Sequence, residues 1–370
     1  MNLGGLFAML GHWFSTVGAS NIMPPRFLPT ASLETLKLRS RLVASMREFF
    51  LANGYWECET PILSHEVIVD ANLDPFVTCD VIGKPYYLQT SPEAGMKRLL
   101  SAGADAIFQI TRAMRRGESG SFHNPEFTMV EWYRVGDDHH DQMDFVELLV
   151  RAFYAEAGCQ SAGEVVNGKP GKLSSEPFER LSYDEVFKRY AETRVLHLSS
   201  IELSELAIER GVIAPSSLQL EDRDGWLNLL LTELVEPHLG CNSPQFVFDY
   251  PASQAALAKV RNVPLAGETP MTTLRVAERF ELYDKGVELC NGYHELTDAD
   301  EFLRRSKAEQ SKKSASESHE DLPGAPLLEE AIREGLPDCA GVALGLDRLV
   351  MMALGKTEIR DVIAFPGNQA

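Results

Sequence analysis

The sequence predicts an α+β protein, an antiparallel β-sheet flanked by helices, and three observations carry that prediction. Strand-like and helix-like segments come in runs, without the βαβ alternation of a doubly wound parallel sheet. Residues 106–112 and 126–134 read as the two strands of a hairpin joined by the long polar loop 113–125. Residues 278–296 read as a second strand pair, folded back at Asp284-Lys285-Gly286.

Taken in order, Leu38, Leu42, Met46, Phe49 and Phe50 recur at three- and four-residue intervals, which predicts an amphipathic helix over 33–52. Asn53-Gly54 stops it, and 55–63 follows as a strand closed by Pro61. Residues 86–90 are a short strand. Ser91, Pro92 and Glu93 then supply an N-cap, a first-turn proline and an early acid for a helix to about Ala102. Residues 136–158, 182–212 and 221–239 read as helical, 159–180 as irregular, and 246–251 as a buried strand. A polar helix over 298–312, an exposed loop over 314–326 and a glycine-punctuated strand entering a helix over 341–355 complete the chain. There is no internal repeat, P-loop or G-x-G-x-x-G.

Composition narrows the function classes. Of 370 residues, 44% are hydrophobic, enough for a sizeable core, while the net charge of −19 repels polyanions. A small-molecule or protein substrate suits that surface better than nucleic acid. Six scattered cysteines without a C-x-x-C pair argue against disulfides or a zinc cage, and predict a cytoplasmic protein. No apolar run reaches membrane-spanning length. Residues 1–22 lack a basic n-region, so 1–32 reads as a disordered leader or an over-long start with Met23 as the initiator.

Three clusters carry chemistry. Along the strand from Glu126, side chains Phe127, Met129, Glu131 and Tyr133 share one face, an aromatic plate with a carboxylate and a phenol. Taken alone, without Arg115 and the HNPE lead-in, it reads rather as a half-buried amphipathic strand with Glu131 in an ion pair. Arg115, in the preceding loop, is placed for a bidentate contact with an α-phosphate or for solvent, as is Arg116 beside it. In the second cluster Glu288, Asn291 and Glu295 become a hard-oxygen site for Mg²⁺ if a bulge at Asn291-Gly292 brings the two glutamates to one face. The alternative is a tight Asn-Gly hairpin with both glutamates in water. In the third, Gly341, Gly345 and Arg348 surround a strand-to-helix junction, where backbone and guanidinium together suit a terminal phosphate. Asp347 and Gly355 are also plain helix caps. Two arginines on separate scaffolds with carboxylates between them fit attack by a carboxylate on the α-phosphate of ATP. Such a nucleophile is already ionised, so no general base is required.

Six stretches occur in order: TSPEAGMKRLL, HNPEFTMVEWYR, PASQAALA, VAERFELY, GVELCNGYHELTDA and PDCAGVALGLDRLVMMALG. On these, residues 33–370 resemble the lysyl branch of the class II aminoacyl-tRNA synthetases throughout, and within it the ligases that modify elongation factor P. The resemblance implies one class II catalytic domain over 33–370, without the anticodon-binding barrel that synthetases carry, and a homodimer built on the helix at 33–52. It implies an ATP-dependent ligase that adenylates (R)-β-lysine or lysine and passes it to a lysine side chain of elongation factor P. A truncated enzyme charging tRNA or forming a small-molecule amide is the rival, and a catalytically dead paralogue a second.

By the same resemblance, Ser91, Pro92, Glu93, Glu131, Tyr133, Glu295 and Ala343 line the amino-acid pocket. Arg115, Arg116, Gly117, Glu118, Asn124, Phe127, Glu288, Leu289, Gly345 and Arg348 hold ATP, with Arg115 and Arg348 catalytic and Mg²⁺ on Glu288 and Glu295. The chain departs from the pattern at Gly117, where many relatives have a glutamate contacting adenine; Glu118 is the expected replacement. Ala343 stands where synthetases have glycine, and its methyl group narrows the pocket in favour of β-lysine.

Overall fold

The computed structural model describes residues 27–158, 165–166, 169–170, 175–264, 273–315 and 322–370. Most of the leader, Met23 and Cys159 lie outside the described residues. The chain opens with helix α1 (Leu33–Ala52), capped by Ser32, whose hydroxyl accepts from the Thr35 amide. Its buried stripe is Leu42, Met46 and Phe50, one residue per turn. Phe50 stacks on Phe108 with ring centroids 4.5 Å apart. Burying each such side chain contributes about 1.5–3 kcal/mol, which fixes α1 against the sheet.

The small strands β1 (Trp56–Glu57), β2 (Leu63–Ser64), β3 (Phe76–Cys79) and β4 (Pro85–Leu88) lead to helix α2 (Glu93–Ser101). The expected strand over 55–63 survives only as its two ends, because Pro61 has no amide to donate. Pro92, not Ser91, is the N-cap of α2, and it offers no side-chain acceptor. The hairpin follows as β5 (Ala106–Met114) and β6 (Glu126–Val135), then helix α3 (His139–Glu156), closed at its start by a capping box on Asp138.

Beyond a two-residue hairpin, β7 and β8 (Val165–Val166, Lys169–Pro170), the chain forms β9 (Glu179–Ser182) and a helical insert. That insert is α4 (Tyr183–Tyr190), α5 (Ser200–Glu209) and α6 (Arg223–Leu230). Helix was expected without a break over 182–212, yet Ala191 ends α4 and Ser199 opens α5 with a capping box. The remaining strands are β10 (Gln245–Pro251), β11 (Val260–Pro264), β12 (Thr273–Asp284), β13 (Val287–His294) and β14 (Cys339–Gly345). Helices α7 (Ala299–Ala315) and α8 (Pro326–Gly335) precede β14, and α9 (Leu346–Ala353) follows it.

These strands build one nine-stranded sheet, ordered β1-β5-β6-β14-β13-β12-β10-β9, with β11 added on β12. Every pairing from β5 through β10 is antiparallel, as expected; the outermost pairs, β1 on β5 and β10 with β9, are parallel. The β12–β13 hairpin turns on Lys285 and Gly286 with φ of 51° and 75°, the left-handed pair that a two-residue turn demands. One face of the sheet packs on α1, α3 and α9 through Trp132, Phe153, Phe280 and Val342. The other face is left for a cavity, roofed by the helical insert and α7.

Candidate active site

The cavity measures about 990 Å³, the upper range for small-molecule sites. Its floor is β14. Gly341 pairs with Tyr133 on one side and Tyr293 on the other, and Ala343 with Glu131 and Asn291. Period-two alternation sends these residues into the cavity together with Glu295. The floor has to be low: a Cβ on Gly341 would stand 2.2 Å from the Tyr133 ring and 2.8 Å from Glu295 Oε1.

The deep end is acidic. Lys97 Nζ lies 2.5 Å from both Glu93 Oε1 and Glu295 Oε2. Tyr133 donates its hydroxyl to Glu131 Oε1 at 2.7 Å, while Glu131 Oε2 is buried without a partner. Three carboxylates thus face one ammonium. Burial, then the nearby Glu93 charge, pushes the Glu131 carboxyl up to about 8; burial, resisted by Lys97, pushes Glu295 up to about 7. Lys97 is drawn down by burial, but Glu295 and Glu93 override this and hold it above its ordinary range. Three buried carboxyls around one ammonium, with an orphaned acceptor among them, suit a ligand with ammonium groups, whose arrival favours the ionised carboxylates.

At the other end, Arg115 spans the Thr90 carbonyl (3.3 Å) and Glu118 (3.5 Å), with its guanidinium 5.0 Å from the Phe127 ring centroid. Arg348 donates to the Glu288 carbonyl at 2.9 Å, the Phe122 carbonyl at 3.3 Å and His123 Nε2 at 2.6 Å. Burial, then the Arg348 charge, lowers the His123 pKa and keeps its ring neutral. Both guanidiniums line the one cavity, although they arrive from β5's exit loop and from α9. Asp347 fixes α9: it pairs with Arg39 of α1 at 2.5 Å and accepts from the Thr128 amide of β6 at 2.8 Å. It is therefore more than a helix cap.

Several expected residues stand elsewhere. Arg116 leaves the cavity lining and faces Asp74 at 3.6 Å, and Gly117 is a turn residue with φ of 86° outside that lining. Glu118, one step on, does enter it. Asn124 lines the cavity, but its carboxamide is committed to backbone, donating to the Glu126 carbonyl at 2.6 Å and accepting from the Gly367 amide at 2.8 Å. Ser91 and Leu289 line the wall, and Pro92 is buried behind it. Gly345 caps α9, and a Cβ there would meet Arg348 only at ordinary contact.

The expected pairing of Glu288 with Glu295 on one ion does not hold. Seven positions along an extended strand separate them by about 20 Å, far beyond the ~2 Å reach of Mg²⁺ ligation, and Glu295 is committed to Lys97. The bulge exists, at Leu289 and not at Asn291-Gly292: Tyr283 pairs with Glu288 and Leu282 with Cys290, which leaves Leu289 unopposed. It turns Glu288 onto the face of Asn291, which pairs with Glu281 of β12. Glu281, overlooked in the sequence, accepts from Tyr250 and Tyr283 at 2.5 and 2.6 Å and from Arg279 at 2.5 Å. Burial, then the Glu281 charge, raises the Glu288 pKa, with Arg348 opposing. Two carboxylates crowded beside a carboxamide are a hard-oxygen set that a divalent cation would relieve.

Lys97 and Arg279 were also overlooked. Lys97 is signalled by its place four residues after Glu93 on a helix, whereas counting back from the Lys285-Gly286 turn sets Phe280 and Glu278 opposite Asn291 and Tyr293, and only the bulge at Leu289 brings Glu281 and Arg279 there.

The sequence profile of the class II tRNA synthetases (D, K and N) matches residues 27–369. A protein from Yersinia enterocolitica named elongation factor P–(R)-β-lysine ligase is 42% identical over 350 residues, 92% of this chain and 98% of that one. Proteins of the same name from Vibrio cholerae and Salmonella arizonae are 42% and 41% identical, over 93% and 92% of this chain and 98% of each relative. With a profile matched from before α1 to the penultimate residue, over a sheet that carries both arginines, the chain belongs to the class II aminoacyl-tRNA synthetase family.

Proposed function

We propose that this chain is an ATP-dependent ligase that adenylates (R)-β-lysine, or lysine, and transfers it to a lysine side chain of elongation factor P. The observation that carries the reading is the two-ended cavity, acidic with an orphaned Glu131 oxygen at its deep end and held by Arg115 and Arg348 at the other. The names of its relatives supply the substrate and the acceptor.

In this reading Glu93, Glu131 and Glu295 receive the ammonium groups of the amino acid, Tyr133 orients Glu131, and Ser91 and Ala343 shape the wall. The substrate carboxylate then points along the floor toward Arg115. One carboxylate oxygen attacks the α-phosphorus of ATP, the bond to the bridging oxygen breaks, and pyrophosphate leaves. Arg115 meets the charge gathering on the α-phosphate, Arg348 the departing terminal phosphate, and Phe127 with Glu118 the adenine. Glu288, with Glu281 and Asn291 beside it, would hold Mg²⁺, which supplies neutralising charge to the phosphates. An acceptor ε-amine next attacks the acyl carbon, loses a proton, and AMP departs.

The domain works as a homodimer through α1, in the cytoplasm; among the described residues no helix is long and apolar enough to cross a membrane. The test is ATP–pyrophosphate exchange with each lysine isomer. Exchange that depends on (R)-β-lysine, and is lost in Arg115→Ala and Arg348→Ala, supports the reading; amino-acid-independent exchange, or none, defeats it.

A further inference from the structure

On the reverse face of the sheet, away from the cavity, His139, Glu278 and His294 bring together ligand atoms that all lie within 4.8 Å of one another. They come from three elements: the first turn of α3, β12 and β13. The His139 side chain is 4% exposed, and neither of its ring nitrogens has a hydrogen-bond partner. Asp249 lies 4.0 Å from Nε2 and is itself gripped by Arg261 at 2.6 and 2.7 Å, and the His140 ring lies alongside with its centroid 4.1 Å away. A buried imidazole with both nitrogens unused costs free energy, and it stands at a helix N-terminus that disfavours its charged form.

The neighbouring histidine is already oriented. His294 Nε2 lies 2.8 Å from Asp338 Oδ1, and Nδ1 lies 2.5 Å from Glu278 Oε2. A carboxylate on the far nitrogen is the arrangement that fixes a metal-binding imidazole and raises its basicity. The local cations stand outside the triangle of ligands. Lys259 contacts Asp338 and the Nε2 side of His294, and Arg261 lies 3.5 Å from Glu278 Oε1, not the Oε2 that meets His294.

We propose that His139, Glu278 and His294 form a site for Zn²⁺ or a similar transition-metal dication, with Asp338 as the outer carboxylate and water completing the coordination. Two imidazoles and one carboxylate are a set that suits zinc, whereas Mg²⁺ and Ca²⁺ prefer oxygen throughout. Binding replaces the hydrogen bond between His294 and Glu278, so one proton leaves Nδ1 as the metal enters. The bound ion ties the start of α3 to the strands whose opposite faces carry Glu281 and Asn291. Its role is to brace the sheet, and it takes no part in chemistry.

The experiment uses the full chain, treated with chelator and dialysed, titrated with Zn²⁺ by calorimetry without nucleotide and followed by thermal unfolding. One equivalent should bind with proton release and raise the midpoint of unfolding. His139→Gln and Glu278→Gln should each abolish that stoichiometric binding, and Asp338→Asn should weaken it by about 10–100-fold. Asp338 is largely exposed, so that variant keeps the test readable if a buried substitution unfolds the chain. Absence of binding by the wild type, or binding left unchanged in all three variants, overturns the proposal.

Discussion

Gly341→Ala separates the two ends of the cavity. The new methyl carbon would stand 2.2 and 2.3 Å from two carbons of the Tyr133 ring, so the ring must retreat by about 1.2 Å to reach the 3.4 Å of ordinary contact. Tyr133 is 3% exposed and hydrogen-bonded to Glu131, so the ring can retreat only by shifting within the cavity that it lines. Moving it stretches the 2.7 Å hydrogen bond to Glu131 past its useful range, so the change costs about 1–3 kcal/mol of overpacking together with the lost bond. A displacement of this size near a reacting centre lowers turnover by about 10²-fold. Amino-acid-dependent pyrophosphate exchange should show a steep rise in KM for the amino acid, while KM for ATP stays within about twofold because distant sites act independently. An unchanged amino-acid KM, or an ATP KM that rises in parallel, refutes the two-ended reading.

Four further outcomes follow. Glu131→Gln should alter stability in a pH-dependent way. A carboxyl raised to about 8 binds a proton more readily folded than unfolded, so its contribution is full below about 4.5 and is lost as pH rises through 8. The melting temperature of the variant relative to wild type should therefore climb from pH 5 to pH 8, and a flat difference would contradict the assignment. Lys97→Met leaves Glu93 and Glu295 without their buried counter-charge, and thermal denaturation should register a loss of about 3–5 kcal/mol. Asp347→Ala removes the ion pair of Arg39, which keeps Thr128 Oγ1 and the Val362 carbonyl, and leaves the Thr128 amide without its acceptor; it is expected to destabilise by about 1–3 kcal/mol while also lowering exchange through misplaced Arg348. Glu118→Ala should raise the ATP requirement; unchanged ATP dependence would remove Glu118 from the adenine contact.

The elements that local chemistry specifies were legible in the sequence. Helix α1 spans the residues that its periodicity indicates and stops at Asn53-Gly54. The β12–β13 turn announces itself through Lys285-Gly286. Arg348 was recoverable as a lone cation in an apolar, glycine-punctuated setting, and Arg115 by its place in the polar loop of the hairpin, with Arg116 beside it. What escaped depends on register. Whether Glu288 joins Glu281, Asn291 and Glu295 on the cavity face turns on a single unpaired residue, and nothing in the chemistry of Leu289 marks it as the bulge. Lys97 escaped because a lysine on a helix is ordinarily solvated, and only tertiary packing places it between two glutamates. The parallel edge strands β1 and β9 are too short to have a periodicity of their own.

The most direct measurement is the intact mass of elongation factor P after incubation with this protein, ATP and either lysine isomer, with purified tRNA as a parallel acceptor. The account predicts one added lysyl-type residue on elongation factor P, more with (R)-β-lysine than with α-lysine, and none on tRNA. Mass added to tRNA, or an unmodified elongation factor P under conditions that support pyrophosphate exchange, would contradict it.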